Sequence, residues 1–144
     1  MESGTTTTPL SGQCLCGAVS LRVTPEALHA DACHCAMCRR WSGGPFMSLP
    51  CGTNVAIEQD GDALALYDSS DWGQRGFCKR CGSLLFYRMR EQGTYYVSTG
   101  LFDDIEGLSF ETEIFIDSKP GWYAFANDTR KMTGAEVVAA FAAD

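Results

Sequence analysis

The sequence predicts a mainly β fold, organised around metal and ending in a short C-terminal helix. Three observations predict it. Seven of the eight cysteines fall into three clusters, Cys14/Cys16, Cys33/Cys35/Cys38 and Cys78/Cys81, and soft sulfur ligands at such spacings suit zinc. The apolar runs are short and are bounded by turn-forming residues. Fifteen glycines in 144 residues supply many tight turns.

Taken in order, the threonine-rich residues 1–11 read as a tail, and residues 12–144 as one domain with no repeat or linker. Cys14-Leu15-Cys16-Gly17 is a metal knuckle closed by a glycine, and residues 18–23 alternate as a half-buried strand. Residues 25–30 are a connector with weak helical character. Between Cys35 and Cys38 lie two residues, the span by which one turn brings two sulfurs onto one ion. Ser42-Gly43-Gly44-Pro45 is a loop whose glycines let a substrate approach the backbone.

Residues 46–49, 55–58 and 64–67 are strands, and the polar stretch 69–76 is a connector. Phe77-Cys78-Lys79-Arg80-Cys81-Gly82 is a second glycine-closed knuckle. Residues 84–88 and 94–98 form strands around a short Glu91-Gln92-Gly93 turn, which favours an antiparallel pair. A last strand occupies 113–116. Thr133 with Glu136 is a capping box, and the alanines after it make one late helix on a β-rich body.

Composition excludes several classes. The formal charge of −7 opposes nucleic acid and anionic membrane surfaces. No apolar run approaches the roughly 18 residues of a membrane span. The first residues carry neither a basic nor an apolar segment, so no secretory signal is expected. Thiolates held on metal then fit a reducing compartment, the cytoplasm, better than a disulfide scaffold.

The count of thiols suggests a partition. Cys14, Cys16, Cys78 and Cys81 look like two halves of a closed four-thiolate zinc site, although they lie far apart in sequence. Cys33, Cys35 and Cys38 supply three thiolates, which leaves either an open fourth position or a second structural site completed by His34, Cys51 or another side chain. Three thiolates make zinc a weak activator of water but a good match for an incoming thiol, which it would hold as thiolate beside an aldehyde. Arg39 and Arg40 are candidates to screen that charge or hold a carboxylate of the thiol compound. His34 is a candidate for proton transfer, His29 reads as a surface residue, and Cys51 as a buried bystander.

Four stretches carry a resemblance. Gly12-Gln13-Cys14-Leu15-Cys16-Gly17-Ala18-Val19, Cys33-His34-Cys35-Ala36-Met37-Cys38-Arg39-Arg40, Phe77-Cys78-Lys79-Arg80-Cys81-Gly82-Ser83 and Ile116-Asp117-Ser118-Lys119-Pro120-Gly121-Trp122-Tyr123 together resemble the glutathione-dependent formaldehyde-activating enzyme family. The resemblance implies a β-tent fold, small antiparallel sheets around zinc knuckles. It implies two zinc ions per chain, a structural one on Cys14, Cys16, Cys78 and Cys81 and a more labile catalytic one on Cys33, Cys35 and Cys38, with the thiol of glutathione as fourth sulfur. The implied activity is of the carbon-sulfur lyase class, joining or separating glutathione and formaldehyde. Gly43 and Gly44 would then lie beside the reacting carbon. A non-enzymatic zinc-stabilised binding module is the alternative.

Overall fold

The computed structural model describes residues 8–142. Most of the expected 1–11 tail therefore lies outside the described residues, and Leu10 already opens a strand. The chain forms two compact units. One comprises the residues up to Leu28 together with Ser48–Leu108, and the other His29–Met47 together with Ser109 onward.

In the first unit, β1 (Leu10–Gln13), β2 (Ser20–Val23) and β5 (Val55–Gln59) form an antiparallel sheet in the order β1-β2-β5. β2 alternates as its sequence demands, with Leu21 and Val23 buried and Arg22 exposed. A longer antiparallel array runs β4-β9-β8-β7-β6, built from β4 (Phe46–Gly52), β6 (Leu64–Asp68), β7 (Gly73–Cys78), β8 (Leu84–Met89) and β9 (Thr94–Ser98). The core of this unit gathers Val19, Leu21, Leu49, Leu85, Phe86 and Val97, all fully or almost fully buried. Gly76 is required in β7 because the Phe86 ring opposite lies where its Cβ would be, at 2.4 Å.

The second unit holds β3 (His29–Cys33), α1 (Ala36–Ser42), β10 (Ser109–Ile114), β11 (Arg130–Met132) and α2 (Gly134–Ala142). Here β10 is flanked by β3 and β11, and both pairings are parallel. The antiparallel expectation thus holds in the first unit and not in the second. Short turns between neighbouring strands enforce antiparallel pairing, whereas the connections into and out of β10 are long enough for parallel crossovers.

Four local expectations are corrected. The late helix is not alone, because α1 occupies the residues directly after Cys35. The connector at 25–30 overlaps β3, the one at 69–76 overlaps β7, and β11 follows the strand expected to be last. Within that polar stretch, Gly73 and Gly76 of β7 are the positions over which the Tyr87 and Phe86 rings lie. The capping box forms as expected, with Thr133 N–H donating to Glu136 Oε1 at 2.8 Å and Glu136 N–H donating to Thr133 Oγ1 at 3.2 Å.

Candidate metal centres

Two groups of sulfurs converge, one in each unit. In the first unit the Sγ atoms of Cys14, Cys16, Cys78 and Cys81 lie within 4.8 Å of one another. Cys14 and Cys16 sit in the turn before β2, and Cys78 ends β7 with Cys81 in the turn after it. Each knuckle closes on itself through a glycine, with Gly17 N–H donating to Cys14 O at 3.1 Å and Gly82 N–H to Cys78 O at 2.7 Å. Both glycines have φ near +80°, which an L side chain adopts only with strain.

Donors converge on these sulfurs. Val19 N–H points to Cys14 Sγ at 3.3 Å, and Ser83 Oγ lies 3.1 Å from Cys81 Sγ. Ser83, through its hydroxyl first and its N–H second, brings the Cys81 thiol down to about 5. Burial pushes the Cys14 thiol up, but the Val19 N–H and then Cys16 and Cys78 bring it below the ordinary thiol range.

In the second unit the Sγ atoms of Cys33, Cys35 and Cys38 also lie within 4.8 Å of one another. Cys33 ends β3, Cys35 is the N-cap of α1, and Cys38 lies within its first turn. The Cys35 sulfur accepts the Cys38 N–H at 3.3 Å, so the start of the helix fixes the spacing of the last two ligands. Cys33 and Cys35 are half-buried and Cys38 is buried. Hydrogen bonds shared with Cys35 and Cys38, then burial and the charges of those two sulfurs, hold the Cys33 thiol far above its ordinary range. Three sulfurs this close resist ionising together, and a divalent cation among them relieves that repulsion. Both donor sets, four sulfurs and three, suit a soft tetrahedral ion.

Neither His34 nor Cys51 belongs to the three-sulfur group among the described residues. His34 is fully buried, and both ring nitrogens are engaged, Nδ1 with the Tyr123 hydroxyl at 2.7 Å and Nε2 with Glu113 Oε1 at 2.8 Å. Cys51 is fully buried in the first unit, where burial and then the charge of Glu26 push its thiol up to about 12. His29 is half-buried and pairs with Asp31 at 3.0 Å.

Arg39 and Arg40 differ. The Arg39 Nε donates to His34 O at 3.0 Å, which fixes the guanidinium beside the three-sulfur loop, whereas Arg40 is exposed. Gly43 caps α1 with φ of 80°, its N–H donating to Arg39 O at 2.8 Å. A Cβ at Gly43 or Gly44 would meet nothing within 4 Å, so the backbone there borders open space.

Glu113 and Thr129, which complete the surroundings of His34, have no signal in the sequence, because Glu113 lies 79 positions from the histidine it meets. Tyr123 closes the last of the four stretches quoted above, which was its only mark.

Residues 9–118 match the family model described as glutathione-dependent formaldehyde-activating enzyme. An uncharacterized lyase of Schizosaccharomyces pombe is 35% identical over 128 residues, which span 88% of this chain and 93% of that protein. A candidate glutathione-dependent formaldehyde-activating enzyme of Halomonas elongata is 26% identical over 129 residues, 78% of either chain. A crystal structure of a Rhodobacter sphaeroides protein has the same fold, with a TM-score of 0.59 and 21% identity, covering 70% of this chain and 99% of that one. With four sulfurs gathered in one unit, three in the other, and the family model spanning both, the chain belongs to the glutathione-dependent formaldehyde-activating enzyme family.

Proposed function

We propose that this protein is a zinc-dependent enzyme of the carbon-sulfur lyase type, joining or separating glutathione, or a similar thiol, and formaldehyde or another small carbonyl compound. The observation that carries this reading is the inequality of the two clusters. Cys14, Cys16, Cys78 and Cys81 offer a closed set of four sulfurs, while Cys33, Cys35 and Cys38 offer three. The nearest imidazole, His34, has both nitrogens turned to other partners.

Zinc held by Cys33, Cys35 and Cys38 would supply a soft fourth position that stabilises an incoming sulfur as thiolate at neutral pH. The remaining roles belong to the chain. Arg39, pinned through Nε, would pair with a carboxylate of the thiol compound, with Arg40 as an outer cation. Gly43 and Gly44 border open space, which leaves room for the carbonyl carbon close to the backbone. In the joining direction a carbon-sulfur bond forms, the carbonyl π pair moves to oxygen, and that oxygen takes a proton.

The other zinc, on the four-sulfur set, has a structural role in this reading. The sheets then fold around zinc in the β-tent manner, and the thiolates require a reducing compartment such as the cytoplasm. The support for the substrate class is family membership together with a soft, incomplete donor set.

Exchange-detected NMR of glutathione and formaldehyde tests the reading, using protein shown by elemental analysis to carry two zinc ions. We expect acceleration of adduct exchange above the uncatalysed rate, in proportion to protein concentration. Absence of acceleration with both ions bound would overturn the enzymatic reading and favour a zinc-stabilised binding module.

A further inference from the structure

Behind the three-sulfur cluster runs a chain of hydrogen bonds that the metal ligands do not explain. His34, set between Cys33 and Cys35, is 0% exposed. Its Nε2 meets Glu113 Oε1 at 2.8 Å and its Nδ1 meets the Tyr123 hydroxyl at 2.7 Å. Glu113 is 1% exposed, and its other oxygen accepts from Thr129 Oγ1 and faces Lys131 Nζ at 3.8 Å.

The chemistry of the partners fixes the direction of the bond to Glu113. Burial raises the Glu113 carboxyl, but hydrogen bonds from Thr129 and His34 and the charges of His34 and Lys131 outweigh it, so the group stays ionised. A carboxylate only accepts, so His34 Nε2 carries a proton and donates it to Glu113 Oε1. Nδ1 and the Tyr123 hydroxyl share the second bond, which ties the phenol to the buried ring.

Tyr123 is where this buried chain reaches the outside. It is half-buried, whereas His34 and Glu113 are sealed. Its hydroxyl is hydrogen-bonded to the side chain of His34, the residue that separates the sulfur donors Cys33 and Cys35, so one side chain links it to the cluster. The ring is held by Trp122 at 4.7 Å and by His34 at 5.5 Å between centroids, and the Tyr123 carbonyl accepts from Lys119 Nζ. A half-exposed phenol so firmly held and backed by a histidine and a carboxylate has the arrangement of a proton-handling group.

We propose that the Tyr123 hydroxyl is a catalytic residue that passes the proton between the thiol sulfur and the carbonyl oxygen at the Cys33/Cys35/Cys38 cluster, with His34 and Glu113 as its positioning residues. This rests on the thiol and carbonyl reading above. In the joining direction the sulfur forms its bond to carbon as the carbonyl π pair moves to oxygen. The proton leaving sulfur goes to the Tyr123 oxygen, while the hydrogen of that hydroxyl passes to the new alkoxide oxygen. One S–H and one C=O become one C–S and one O–H, and Tyr123, His34 and Glu113 end as they began. The separating direction is the reverse.

The test compares wild type, Tyr123→Phe and Glu113→Gln as full chains with two zinc ions each, in the same exchange NMR measurement. Glutathione binding by calorimetry and zinc content are measured in parallel. Phenylalanine keeps the ring contacts and removes only the hydroxyl. We expect Tyr123→Phe to lower kcat by about 100-fold, with KM, glutathione affinity and zinc content unchanged. Glu113→Gln should lower kcat by a smaller factor, about tenfold, also at unchanged KM. Wild-type turnover matched by Tyr123→Phe overturns this inference alone. Loss of zinc or of glutathione binding in parallel with activity assigns Tyr123 a structural role and also overturns it. A wild type without acceleration overturns the underlying reading, and this inference with it.

Discussion

Leu15 N–H donates to Ser83 Oγ at 2.9 Å, joining the two knuckles of the four-sulfur cluster across 68 positions of sequence. The same hydroxyl lies 3.1 Å from Cys81 Sγ. One serine thus serves both the backbone of one knuckle and the sulfur of the other. Ser83→Ala should cost about 1 kcal/mol of stability and speed the loss of zinc to a chelator from this site. Urea unfolding and chelator competition measure the two effects. Unchanged zinc retention would show that the serine does not support the cluster.

The two adjacent glycines after α1 should respond differently to the same change. Gly43 has φ of 80° and caps the helix, so Gly43→Ala should cost about 1 kcal/mol through left-handed backbone strain. Gly44 carries no such constraint and faces open space, so Gly44→Ala should stay within about 0.5 kcal/mol of wild type. If instead Gly44→Ala raises KM for the carbonyl compound, the open space is where that compound enters.

Glu113 makes stability depend on acid. Its carboxyl titrates below the ordinary glutamate value of 4.5, because Thr129, His34 and Lys131 outweigh burial. A lowered carboxyl contributes stability that is fully present above the ordinary value and is lost as pH falls through the lower folded value. Wild type should therefore exceed Glu113→Gln by about 1–3 kcal/mol at pH 7, and the gap should close as pH falls below 4.5. Unfolding curves of both proteins across that range measure it. A gap independent of pH would mean that the carboxylate is not the stabilising species.

Removing a sulfur from either cluster should separate the two metal roles. Cys35→Ser should lower zinc content from two ions to one and abolish turnover while leaving a folded protein, because α1 retains an oxygen N-cap. Cys81→Ser should lower the thermal midpoint sharply, since that cluster joins the turn before β2 to the end of β7. Elemental analysis with thermal unfolding distinguishes them. Equal destabilisation by both substitutions would remove the distinction between a structural and a catalytic ion.

The sulfur clusters were legible because each knuckle is local. Cysteine spacing and the following glycines of Cys14-Leu15-Cys16-Gly17 and Cys78-Lys79-Arg80-Cys81-Gly82 report the turns directly, and the sulfurs converge as the four-and-three partition expects. The capping box of Thr133 and Glu136 was legible for the same reason. What escaped was set by distant partners. Gly73 and Gly76 look like loop residues until Tyr87 and Phe86 from β8 are placed over them. The parallel partners of β10 are not its neighbours in sequence. Glu113 reads as one acid among many until it is found against His34.

The two clusters also differ in the length of chain that each must close. Cys33, Cys35 and Cys38 span a single strand end and helix start, so gathering their sulfurs restricts little of the unfolded chain. Cys16 and Cys78 are 62 positions apart, and tying a loop of that length removes configurational freedom on the order of 4 kcal/mol. An ion on the long loop therefore acts as a cross-link whose departure frees a large part of the chain. An ion on the short one can leave and return while the topology persists, which is the property a turnover site needs and a scaffold does not.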